Sequence, residues 1–284
     1  MIAKKRPRVC RDRSGVVAVV RLMRPFACAL LMLFCGNLPA VAGSEPTLES
    51  IREQLSLEFR GRVPREWGER VKGVHTRLKT SDRVVALTLD ACGSPRGKGV
   101  DSALLAFLER ERIPATLFIN ARWIDANPTL FRQLAANPLF EIANHGLHHR
   151  PASVSGRSAY GIAGTGNVGE LVEEIEGNAR KIGALTGVRP RVYRSGTAYY
   201  DDLAVEVSRR LGHAVAGFSV LGDAGATFRR AQVRDALLSA HAGDIVLLHM
   251  NHPEGETAAG VIDALPELLR RGFRFVKLSD YPLE

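Results

Sequence analysis

From Val84 to the end of the chain, short apolar runs rich in β-branched residues alternate with longer stretches of helical period. This alternation constrains the fold more than any other feature. Strands are predicted at residues 84–90, 115–119, 140–144, 192–194, 214–220, 245–249 and 274–277. Helices are predicted between them at 100–112, 128–136, 170–187, 200–211, 231–240 and 257–271. Seven strands separated by six helices imply parallel βαβ units, arranged as a closed or deformed barrel or as an open doubly wound sheet. Residues 150–168, rich in Gly and Ser, read as a loop over one face.

Ionisable residues fall where such a fold gathers chemistry. Asp90 ends the first strand, His145 follows the third, Arg194 ends the fourth, Asp223 follows the fifth and His249 ends the sixth. All are carboxyl ends, where parallel α/β folds build their sites, so the pattern points to an enzyme.

His145-Gly146-Leu147-His148-His149 sets two imidazoles four residues apart just after a strand. His145 and His149 can converge on one metal ion, with His148 pointing away. Asp90 suits a general base acting on water, or else serves as a turn cap. His249, at the end of an apolar strand, suits a general acid, the alternative being a core histidine. Asp223 either orients His249 or belongs to a Gly-Asp turn. A buried Arg194 would hold Asp90 through paired hydrogen bonds, and the turn after it could offer backbone N–H groups to an oxyanion. Tyr199 and Tyr200 either line the substrate face or pack inward. Cys92 is read as a small buried apolar residue rather than a nucleophile.

The formal charge of +9 is unevenly spread. Residues 1–42 carry eight Lys and Arg against one acid, Asp12, which leaves only +2 for residues 43–284. That near-neutral remainder argues against nucleic-acid binding. Residues 25–38 are apolar and uncharged, too short for a confident membrane span, and are followed by Ala40-Val41-Ala42. We therefore expect a signal peptide over residues 1–42, with Met23 a more typical start, and export to the periplasm or outside the cell. If the leader stays uncut, it anchors the protein in the membrane. Residues 43–81 read as an N-terminal extension and 82–284 as the catalytic domain. Cys10, Cys28 and Cys35 lie in the leader, so Cys92 has no disulfide partner in residues 43–284.

Four motifs in order resemble the polysaccharide deacetylase family, with its NodB homology domain and carbohydrate esterase family 4 members. They are Thr88-Leu89-Asp90-Ala91-Cys92-Gly93, His145 through His149, Arg194-Ser195-Gly196-Thr197, and Leu247-Leu248-His249. The Asp-Ala-Cys-Gly wording is similar to one bacterial subgroup. The resemblance spans residues 84–279 and implies a deformed (β/α)7 barrel. It also implies metal-dependent removal of N- or O-acetyl groups from a glycan such as peptidoglycan or an exopolysaccharide. Carried over, Asp90 is the base, His145 and His149 are ligands of a divalent metal, with zinc the expected ion, and His249 is the acid. Arg194 tethers the base and Asp223 tunes the acid.

One position departs from the family. Ala91 stands where the family has a metal-binding Asp, so Asp90 itself, water, Asn251 or His252 is expected to complete the shell. Two alternatives remain: a glycan-binding protein of the same fold that has lost its chemistry, and a hydrolase of non-peptide C–N bonds in small amides.

Overall fold

The computed structural model describes residues 46–284, so the signal peptide expected over residues 1–42 lies outside the described residues. Helix α1 (Leu48–Glu58) and the short strands β1 (Trp67–Gly68) and β2 (Val74–His75) precede the first long strand, β3 (Val84–Ala91). Then come α2 (Ser102–Arg110), β4 (Ala115–Ile119), α3 (Ala121–Ala126), α4 (Pro128–Ala136), β5 (Phe140–Asn144) and α5 (Val168–Thr186). The rest is β6 (Val192–Tyr193), β7 (Tyr200–Asp201), α6 (Asp202–Arg210), β8 (Ala214–Ala216), β9 (Val220–Leu221), α7 (Arg230–Leu238), β10 (Asp244–His249), α8 (Thr257–Arg270) and β11 (Arg274–Val276).

The main sheet runs in the order β2-β8-β6-β5-β4-β3-β10-β9, with β11 also on β3. Every pairing in it is parallel. It curls into the half-barrel expected of a deformed (β/α)7 barrel. β1 pairs separately with β7, antiparallel.

Local chemistry sets the helix ends. Asn167 caps α5 by accepting the Glu170 N–H, and Gly187 closes it at φ +75°. Pro128 opens α4, where its missing N–H costs nothing. The outer face of the sheet packs Val85, Leu87, Leu89 and Ala91 against Leu104, Leu108, Val261 and Leu265 of α2 and α8. The inner face packs Val84 and Ala86 against Phe118, Ala143, Val192 and Ile245 of neighbouring strands.

The expected strand at 214–220 is broken in two. Arg194 takes the carbonyls of Ala216 and Gly217, and the Gly217 N–H donates to His75, so the backbone there leaves the ladder. The segment before β3 reads in the sequence as an N-terminal extension packing on the domain. It supplies β2 to the sheet and packs α1 on α5. Both β1 and β2 are two-residue strands, too short for a periodic signal. Among the described residues no helix is long and apolar enough to cross a membrane.

Candidate functional site

Asp90 and His249 are direct neighbours in the register between β3 and β10, at the carboxyl ends of both strands. Asp90 is almost fully buried, and its Oδ1 accepts from Arg194 at 2.8 Å. Arg194 is itself fully buried. It also donates to Thr88 Oγ1 at 2.9 Å and to the carbonyls of Ala216 and Gly217, and it lies 4.1 Å from the Phe118 ring centre. All three guanidinium nitrogens donate, so the arginine is a fixed strut and not a mobile ligand-binding group.

His249 is held in the same manner. Its Nδ1 lies 2.8 Å from Asp223 Oδ1, and its backbone N–H donates to Asp223 Oδ2. Thr257 donates to the same oxygen. Burial disfavours the imidazolium, but the Asp223 carboxylate beside it more than offsets this and raises the pKa well above the ordinary value. With Nδ1 so engaged, Nε2 is the nitrogen left for chemistry.

His145 Nδ1 faces the Arg194 carbonyl at 3.0 Å, which leaves Nε2 as the free lone pair. That atom is 3.5 Å from Asp90 Oδ2 and 3.8 Å from the Cys92 sulfur. The donor atoms of Cys92, His145 and His149 all lie within 4.8 Å of one another. His149 Nε2 is buried with no hydrogen-bond partner, an orphan that a metal ion would satisfy. One thiol and two imidazoles form a donor set that suits a divalent ion such as zinc. The residues present therefore fit the metal that the sequence led us to expect.

Two expectations about this set need correction. Alternation along β3 puts Leu89 and Ala91 on the outer face, in the core against the helices, and returns Cys92 to the side of Asp90. Ala91 is thus not the vacant ligand position. Cys92 is not an apolar filler, because its thiol faces imidazoles. Burial raises its pKa, but His149 and His145 outweigh that and hold the thiol well below its ordinary value. The period of two was legible in the sequence, and the motif comparison obscured it. Nor do Asn251 or His252 join the set: Asn251 donates to Gly97, and His252 pairs with Glu254 at the surface.

The histidine turn is staked from below. Glu174 of α5, buried to 1% exposure, accepts the N–H groups of His148 and Arg150. Asn120 donates to the carbonyls of His145 and Gly146. His149 is thereby held at φ +62°, an uncommon conformation for a residue with a side chain. Two glycines are required here. A Cβ at Gly146 (φ +76°) would meet the Glu174 carboxylate, and one at Gly196 would overlap the His149 backbone.

The expected oxyanion turn is largely spent. Ser195 N–H goes to the Tyr200 hydroxyl, Gly196 to Arg150, Ala198 to Ser195 and Tyr199 to Thr197. Among the described residues the Thr197 N–H has no partner, and Thr197 lines the site. Tyr200 is fully buried, so it packs inward. Tyr199 instead joins an aromatic rim with Trp67 at 5.8 Å and Tyr160 at 5.4 Å. A cavity of about 340 Å³ opens over Asp90, His149 and His249, and Thr197, Tyr160 and Leu221 are among its walls. Glu69, which also lines the cavity and accepts from the Tyr160 hydroxyl, was not anticipated, nor were Tyr160 and Trp67, since they come from the 150–168 loop and the segment before β3 and carry no motif.

The sequence profile of polysaccharide deacetylases matches residues 77–216. A peptidoglycan-N-acetylglucosamine deacetylase of Bacillus cereus is 25% identical over 207 residues, covering 72% of this chain and 90% of that protein. Among solved structures, a family 4 carbohydrate esterase from Bacillus anthracis aligns with a TM-score of 0.58 at 21% identity, over 77% of this chain and 96% of that one. A family 4 pseudoenzyme from the same organism aligns with a TM-score of 0.61 at 18% identity, over 72% and 67%. The fold is therefore shared by a family 4 carbohydrate esterase and a family 4 pseudoenzyme, and residues 77–216 of the chain match the polysaccharide deacetylase family.

Proposed function

We propose that this protein is an exported, metal-dependent deacetylase that hydrolyses acetyl groups on an amino-sugar polymer such as peptidoglycan or an exopolysaccharide. The observation that carries this reading is the pairing of Asp90 with His249 across one register position. Each is locked by its own ion partner, and both face the same cavity beside a three-donor group. Kinship with a peptidoglycan deacetylase supports the amino sugar, and the leader sequence supports export.

His145, His149 and Cys92 would hold the metal, which when bound supplies Lewis acidity toward the acyl oxygen and the attacking water. Arg194 occupies Asp90 Oδ1, so Oδ2 is the oxygen that accepts the proton of that water. Water adds to the acetyl carbon as the carbonyl becomes an oxyanion, toward which the Thr197 N–H is available. His249, kept protonated by Asp223, donates its Nε2 proton to the leaving nitrogen. The C–N bond breaks, releasing acetate and a free amine. Tyr160 and Tyr199 at the rim offer flat apolar faces to a sugar ring.

The test is acetate release from N-acetylated glycan polymers by the zinc-supplemented protein and by Asp90→Asn and His249→Ala. Each variant should lose about 10²–10⁴-fold in turnover with its fold retained. Full activity in both variants, or none in the parent protein, would overturn the proposal. The pseudoenzyme relative favours a second reading, glycan binding without turnover. Retention of the polymer with no acetate released would establish that one instead.

A further inference from the structure

Asp90 and Cys92 are two residues apart on β3 and the turn that leaves it, so they face the same side while Ala91 faces the helices. The Cys92 sulfur stands 3.8 Å from the one free nitrogen of His145. The other nitrogen of that ring is taken by the Arg194 carbonyl, and His149 Nε2 is buried without a partner. Three donors of the right chemistry therefore converge: His149 Nε2 has no partner, and His145 Nε2 faces only the thiol and Asp90 Oδ2.

We infer that Cys92 ligates the metal as a thiolate, so that a Cys-His-His centre takes a thiophilic, borderline ion such as Zn²⁺ and discriminates against hard ions such as Mg²⁺ and Mn²⁺. The inference rests on the proposed metal dependence and adds to it which ion the chain selects. A thiolate carries the same single negative charge as a carboxylate, so the net charge of the site is the one a carboxylate ligand would give. What changes is softness: thiolates favour zinc and related ions, whereas carboxylate and carbonyl oxygens suit Mg²⁺, Ca²⁺ and Mn²⁺. A thiolate also presents one donor atom, not two, and so cannot share the ion through a second oxygen. Asp90, with one oxygen on Arg194, is then left off the metal to work as a base.

Cobalt reads this directly, because sulfur bound to Co²⁺ produces a near-ultraviolet charge-transfer absorption that nitrogen and oxygen ligands do not. The full-length protein, stripped of metal and titrated with Co²⁺, should develop that band. Cys92→Ser and Cys92→Asp should lose it, although Cys92→Asp should still bind Co²⁺ through its carboxylate. In competition dialysis the parent protein should retain Zn²⁺ over Mn²⁺. Cys92→Ser should lose on the order of 100-fold in zinc affinity, at or above what outer-shell changes cost. Cys92→Asp should move the preference toward Mn²⁺, and thermal melts of the metal-free variants check that each is folded.

A parent protein without the band, or a band unchanged in Cys92→Ser, overturns thiolate ligation. So does equal retention of Mn²⁺ and Zn²⁺. The outcome is separable from the deacetylase reading. The sulfur signature with no acetate release keeps this inference and defeats that one, and acetate release without the signature does the reverse.

Discussion

On β3, the face carrying Val85, Leu87, Leu89 and Ala91 lies against helices and is apolar to its last residue. The opposite face begins with Val84 and Ala86 in the inner core, then passes to Thr88, Asp90 and Cys92. Both faces are buried, yet only one tolerates ionisable groups. The difference is the supply of partners. On the inner side Arg194 and His145 reach across the curled sheet to the polar atoms of β3, and the Ala216 and Gly217 carbonyls hold Arg194 in turn, while the outer side meets only the apolar stripes of helices. A polar site at a strand end thus depends on curvature, which brings β6 and β8 within reach of β3.

The sharpest way to break this contrast is to put a charge on the wrong face. Ala91→Asp would restore a second acid to the first motif, but its side chain would enter the helix-facing core without a cation. A fully buried carboxylate is shifted by about three to five pKa units, so we expect at least about 4 kcal/mol of destabilisation. Zinc affinity should not improve. Denaturant unfolding checks the first expectation and metal dialysis the second; a stable variant with tighter zinc binding would show that residue 91 faces the site.

His213 tests the same rule away from the site. It is buried, both ring nitrogens lack partners, and burial with nearby Arg189 lowers its pKa to about 4. In contrast to His249 it has no carboxylate beside it. Its folded pKa lies below the unfolded value of 6.5, so its contribution is complete above pH 6.5 and is lost as the pH falls toward 4. Between pH 7.5 and 4.5 the loss should be about 2 to 3 kcal/mol. His213→Gln, which does not titrate, should show a correspondingly smaller acid sensitivity in paired unfolding curves. Identical pH dependence in the two proteins would remove His213 from the account.

A smaller effect is expected from Thr88→Val. The hydroxyl donates to the Val246 carbonyl at 2.6 Å and accepts from Arg194. Valine keeps the shape and leaves both groups one bond short, at a cost of about 1 to 2 kcal/mol. Because Arg194 keeps three other bonds, Asp90 stays tethered, and turnover should fall far less than in Asp90→Asn. A loss as large as that of Asp90→Asn would mean that Thr88, not the arginine, sets the carboxylate.

The elements read well wherever periodicity was long. The strands at 115–119 and 140–144 and the helix at 128–136 are found at the expected bounds. The errors cluster where two-residue strands leave no period, as in β1 and β2, and where a distant side chain redirects the backbone, as Arg194 does between β8 and β9. Within the site, Asp90, Arg194, His145, His149, Asp223 and His249 were visible because an ionisable residue at the end of an apolar strand is costly unless used. Glu174 was invisible, since one acid in a charged helix looks like solvent-facing surface until the fold lays the histidine turn across it.

The sequence by itself determined the parallel α/β order and which ionisable residues crown the strands, because local hydrophobic period and the cost of burying charge act along the chain. Only the tertiary structure decided that Cys92 meets the two imidazoles, that the turn after Arg194 spends its amides internally, and that Tyr160 walls the cavity. Those facts depend on which way each strand face turns once the sheet curls, and on distances between segments far apart in the chain. No local pattern encodes them.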